Sequence, residues 1–192
     1  MPLQTSGSIS LNDLHVEAGG TSGTQCSIND SDIRGLVSAA ANSQMTFSSF
    51  YGASSSILST TMTIGTFDNS AAYGGINHGY NDHTKNGNFT ISWGSLASRS
   101  VNSIQSGAIV TQINHFSVAQ SIQLKISDNT AISNSGWTSL TIGSTTLNRT
   151  AANFTQATTT ISGYGHVSTW TFPSQGTNSP FGTSGTVNIT IA

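Results

Sequence analysis

Apolar residues in most of this chain fall at every second position, and that spacing rules out more folds than any other feature. Met62 and Ile64, Phe89, Ile91 and Trp93, Ile122, Leu124 and Ile126, Leu140 and Ile142, Trp170 and Phe172, and Val187, Ile189 and Ile191 all alternate with polar residues. Successive side chains of a strand point to opposite faces, so this period buries one face of a sheet and leaves the other wet. Ala108-Ile-Val-Thr-Gln-Ile113 reads as a further strand, and Asp128-Asn-Thr130, Asn134-Ser-Gly136 and Gly163-Tyr-Gly165 read as turns. About seven or eight strands without intervening helices predict a mainly β body over residues 56–192, an antiparallel β-sandwich of jelly-roll or immunoglobulin-like type.

Residues 1–55 follow another period. Ile9-Ser-Leu-Asn-Asp-Leu14, Ser27-Ile-Asn-Asp-Ser-Asp-Ile33 and Met45-Thr-Phe-Ser-Ser-Phe-Tyr-Gly52 each set a small polar residue before apolar residues about one helical turn apart. Ser10 with Asp13 three positions on forms a capping-box-like start, in which hydroxyl and carboxylate satisfy orphan N–H groups. Leu11 and Leu14 then share a face and Gly19 is the expected residue beyond the C-cap. Asn29 and Asp32 repeat the pattern ahead of Ile33, Leu36 and Val37. Helices of roughly 8 residues lie below the ~12–15 at which an isolated helix is even marginal, so packing must hold them. Ile9, Leu11, Leu14, Ile33, Leu36, Phe47, Phe50 and Tyr51 are therefore either a small local core or an anchoring face, and both can hold at once.

The ordered set formed by Ser8-Ile-Ser-Leu-Asn-Asp-Leu-His-Val-Glu-Ala-Gly-Gly20, Asn29-Asp-Ser-Asp-Ile-Arg-Gly35 and Phe47-Ser-Ser-Phe-Tyr-Gly52 resembles the N-terminus of tailed-bacteriophage structural proteins. It covers about the first quarter of the chain. Asn134-Ser-Gly-Trp-Thr-Ser-Leu-Thr-Ile-Gly143, Asn148-Arg149, Trp170 and Asn178-Ser-Pro-Phe-Gly-Thr-Ser-Gly185 are similar, more loosely, to a β-domain of phage fibre and virion proteins. The resemblance implies a virion component, of tail, baseplate or fibre, whose N-terminal segment attaches it to other virion proteins.

Composition narrows the chemistry. Ser, Thr, Asn and Gly make up about half of the 192 residues, and only 6% are charged against ~25% in an average soluble protein. Without a basic patch, phosphates cannot be neutralised, so no nucleic-acid partner is expected. The uncharged Ser/Thr faces lack the charges that keep sheet edges from stray pairing, which favours a homo-oligomer. Cys26 is alone, so no internal disulfide is possible. No secretory leader pattern opens the chain and no stretch approaches the ~20 apolar residues of a membrane span. Synthesis in the bacterial cytoplasm and function in the virion are the expectation.

The densest polar-aromatic stretch runs from Tyr73 to His83. Its Gly and Asn residues predict a long surface loop, with Tyr73, His78, Tyr80 and His83 as candidate contacts to a host receptor, such as a surface glycan. His78, Asp82 and His83 match no strong zinc spacing, and no metal or other cofactor is expected. His115 and His166 read as hydrogen-bonded residues at sheet edges, and Trp93, Trp137 and Trp170 as core. No Gly-x-Ser-x-Gly elbow is present, and beyond residue 55 only Asp68, Asp82 and Asp128 carry carboxylates. These features predict a non-enzymatic virion protein, with a decoration or head-fibre protein and a carbohydrate-binding receptor module as the rivals.

Overall fold

A computed structural model describes residues 3–192 apart from positions 5, 38, 40–42, 52, 54–55, 69–74 and 88. The protein is mainly β and divides into two compact units, Met1–Ser56 and Ile57–Ala192.

In the first unit, α1 spans Leu11–Glu17, α2 spans Ser31–Gly35, and a 3₁₀ turn spans Phe47–Phe50. The capping box at α1 is formed. The Asp13 amide donates to Ser10 Oγ at 3.1 Å, and the Ser10 amide donates to Asp13 Oδ2 at 2.8 Å. The chain then leaves α1 through Gly19 at φ +97°. At α2 the cap is Asp30 rather than Asn29, and its carboxylate accepts from the Ser27 amide at 2.7 Å. Asn29 instead accepts from Arg34 Nη1 at 3.0 Å, and Arg34 Nη2 donates to Ser43 Oγ at 2.7 Å. Leu3, Leu14, Ile33 and Phe50 are buried together, with Ile9, Leu11 and Leu36 partly buried against them. The Leu3 amide closes the unit on the Ala53 carbonyl at 2.8 Å.

The second unit contains β1 (Leu58–Thr63), β2 (Gly65–Asp68), β3 (Ile76–Asn81), a single helical turn α3 (His83–Asn86), β4 (Ser95–Leu96), β5 (Ile109–Phe116), β6 (Ser121–Asp128), β7 (Ser139–Ile142), β8 (Thr145–Asn148), β9 (Asn153–Thr158), β10 (His166–Phe172) and β11 (Thr186–Ile191). They form two antiparallel sheets. Sheet I has the order β4-β1-β11-β7-β8 and sheet II the order β2-β3-β5-β6-β10-β9. Alternation fixes which side chains turn inward. Met62, Leu140, Ile142, Ile189 and Ile191 of sheet I join Ile113, Ile122, Leu124, Ile126, Trp170 and Phe172 of sheet II in one buried cluster. Each such side chain contributes about 1.5–3 kcal/mol. β11 lies at the centre of sheet I, paired with β1 on one side and β7 on the other.

Two expectations change here. Phe89, Ile91 and Trp93 do not form a strand; only Trp93 pairs, in a single bridge with Asn81, while Ile91 is exposed. Aromatic stacking holds this segment instead, with Trp93 stacked on Phe67 at 4.7 Å and Phe89 edge-on to Trp93 at 4.9 Å. Conversely, much of the expected surface loop is β3 and α3. β3 pairs with both β2 and β5, and its ladder is built of residues whose polarity hid it.

Candidate functional site

The outer face of sheet II is where the unusual chemistry lies. The pairs Gln112–Lys125, Lys125–Thr169 and Thr169–Thr155 set four polar side chains in one row across β5, β6, β10 and β9. The next row holds Asn114, Gln123, Thr171 and Asn153. Their neighbours along each strand, among them Ile113, Leu124 and Trp170, fill the core on the opposite face.

Half of this polar face is covered. Asn86 on α3 donates to Asn81 Oδ1 at 3.0 Å and to the Thr111 carbonyl at 3.2 Å, and Asn81 donates to the Ile91 carbonyl at 3.2 Å. Trp93 Nε1 reaches Asn114 Oδ1 at 3.4 Å. These bonds satisfy most of the buried amides, yet Gln112 Oε1 and Asn114 Nδ2 are buried with no partner among the described residues. Orphaned groups of this kind cost free energy and are rare in native interiors.

The other half is an open groove of about 680 Å³ running from Asn86 and Gly87 across Gln123, Lys125 and Thr169 to Thr155 and Thr158–Thr160. Lys125 is 6% exposed, and its side-chain amine makes no hydrogen bond or ion pair among the described residues. Burial disfavours its charged form and pulls its pKa down to about 8. Hydroxyls, amides and this one amine line the groove beside the apolar Phe116 and Val167. Among the described residues no carboxylate or imidazole lines it, and its one cationic group is the Lys125 amine.

The residues expected at a receptor-contact loop are dispersed. Tyr73 lies outside the described residues. Tyr80 is not on the surface: it is 4% exposed, packs in the core, and accepts from Arg99 Nη1 at 3.2 Å. Burial, chiefly, raises its pKa. Asp82 accepts from Arg99 at 2.5 Å and caps α3 through the Thr84 amide, a structural assignment. His83 Nδ1 lies 2.9 Å from Ser92 Oγ. His78 belongs to β3, with Nδ1 3.1 Å from Thr66 Oγ1. Among the described residues no three His, Cys, Asp or Glu side chains come together. His115 is central rather than at an edge; it is fully buried on β5 and donates through Nε2 to the Gly176 carbonyl at 3.0 Å. Trp93, Trp137 and Trp170 are all buried.

In the first unit, Leu14, Ile33 and Phe50 form the local core, whereas Phe47 and Tyr51 are exposed, as is Val16. Sequence reasoning missed Lys125 because Ile122, Leu124 and Ile126 read as an ordinary half-buried strand, whose alternate residues are expected in water. The covering segment that buries the other face is distant in sequence. No protein-family model matches the chain, and no match was found among curated proteins or solved structures.

Proposed function

We propose that this chain is a structural protein of a tailed-bacteriophage particle, placed in the tail, fibre, baseplate or tail tip and anchored there through its first unit. The observation that carries this reading is the ordered set of N-terminal phrases. A second observation supports it: a unit with so small a core still exposes Val16, Phe47 and Tyr51, at 45%, 44% and 42%. Apolar side chains of that size and exposure suit contact with a neighbouring subunit. The β unit is read as a β-sandwich of jelly-roll or immunoglobulin-like kind that packs or projects, on the strength of two antiparallel sheets contributing to one core. Homo-oligomerisation is supported by β9, a six-residue edge strand without a single charge. The protein has no catalytic role or cofactor in this reading, and its partners are other virion proteins.

The test is incorporation. Val16→Ser, Phe47→Ser and Tyr51→Ser combined should leave the protein folded but lower its copy number in purified particles at least about tenfold, as loss of an interface centre does. Full incorporation of the triple variant overturns the anchoring role. A head-decoration address is distinguished by where antibody labels appear on the particle. A second reading, a carbohydrate-binding receptor module, is favoured by one observation of its own, the polar groove on sheet II.

A further inference from the structure

We propose that the groove on the outer face of sheet II binds an acidic saccharide, a uronic-acid-bearing oligosaccharide whose carboxylate pairs with Lys125. This deepens the carbohydrate-binding reading and rests on it. It is independent of where the chain is anchored.

The amine at the groove floor is the starting point. A lysine with only 6% of its surface exposed commonly has a carboxylate or carbonyl beside it, because an ammonium that loses part of its water without a partner is penalised. Lys125 has neither among the described residues, and its register places it on the groove side of β6, facing Gln112 and Thr169 rather than the core. Gln112 Oε1 and Asn114 Nδ2, orphaned on the same face in its covered half, add unsatisfied polar character next to the groove. One positive charge matches one carboxylate, whereas a phosphate dianion would remain half neutralised. Around that charge the groove supplies groups suited to sugars. The Thr155 and Thr169 hydroxyls and the Gln123 amide donate and accept, and Phe116 and Val167 offer apolar surface to the C–H face of a pyranose ring.

Charge elsewhere does not replace this pairing. On α3, Lys85 lies over the Tyr164 ring at 4.7 Å, which joins α3 to the turn before β10, and His83 is engaged with Ser92. At the far end of β6, Asp128 accepts from Gln105 and faces His166 across the ladder, three residues from Lys125. β5 and β9 bring no charged residue to the groove.

The experiment uses the full chain and isothermal calorimetry with three probes: tri-galacturonic acid, its neutral counterpart tri-galactose, and sodium acetate. The expected result is binding of the acidic trisaccharide that weakens at least about tenfold in Lys125→Met, the loss expected for a charge-assisted bond. Thr169→Ala should weaken it several-fold. Binding should also weaken between pH 7 and pH 9.5 as the ammonium deprotonates. Lys125→Met should fold at least as well as the parent, because it removes a partly desolvated charge without a partner. Equal binding of tri-galactose, unaffected by Lys125→Met, overturns the carboxylate assignment and leaves the carbohydrate reading standing. Acetate binding as tightly as the trisaccharide overturns the saccharide and leaves a simple anion site. No binding of any probe overturns both.

Discussion

Glycines carry the tightest constraint at the level of single residues. Gly65 on β2 and Gly79 on β3 are paired in register, and Gly94 lies against both. A Cβ on Gly94 would stand 2.2 Å from the Gly79 carbonyl oxygen and 2.8 Å from that of Thr63, and its φ is +64°. Both the left-handed backbone and the close approach require glycine there. Gly94→Ala should therefore cost at least ~2 kcal/mol, read as a lower urea midpoint for the second unit. An unchanged midpoint would mean that the Trp93 segment can move off β3 without penalty. In the sequence these glycines look like turn punctuation. Nothing local says that three of them meet, since the meeting is made by pairing across β2 and β3.

Among the elements, α1 was the most legible. Its start, buried Leu14 and exit through Gly19 follow from contacts within one or two turns, and local chemistry is what a sequence displays. Ser10→Ala removes the acceptor for the Asp13 amide and should cost ~1 kcal/mol. The check is faster amide exchange at Asp13 and Leu14 with no change at Leu124 or Trp170 in the second unit. Equal protection at Asp13 would show that the box adds nothing. β3 was the least legible. Its burial falls on both faces, with Asn77, Tyr80 and Asn81 all nearly inaccessible, so the period of two carries no polarity signal. The error at Phe89–Trp93 is the mirror image: alternation is present, but the aromatic rings bind one another rather than a sheet ladder.

At the scale of the whole molecule, His115 and His78 link stability to pH. Burial lowers the pKa of His115 below its ordinary 6.5, partly offset by the bond to the Gly176 carbonyl. Burial also lowers that of His78, with repulsion from His115 second. The unfolded chain therefore takes up protons near pH 6.5 while the folded chain does not. The stabilisation is complete above about pH 6.5 and is lost as pH falls below it. Urea midpoints should drop from pH 7 to pH 5, and His115→Gln, which can still donate to Gly176, should flatten that slope. Identical slopes in parent and variant would show that some other group titrates.

The sequence alone determined the class of fold, the helical start at Ser10, and most of the inward-facing residues of β5, β6, β7, β10 and β11. Those features are set by period and by near neighbours, which a single strand of text records. Tertiary structure alone decided that the outer face of sheet II is polar yet partly buried, that Tyr80 belongs to the core, and that the Lys125 amine lies unpaired beside an open groove. The physical reason is that burial of a sheet's second face depends on which distant segment crosses it. Here Asn86, Ile91 and Trp93 cover only part of that face, and the uncovered part is where a ligand can meet the amine.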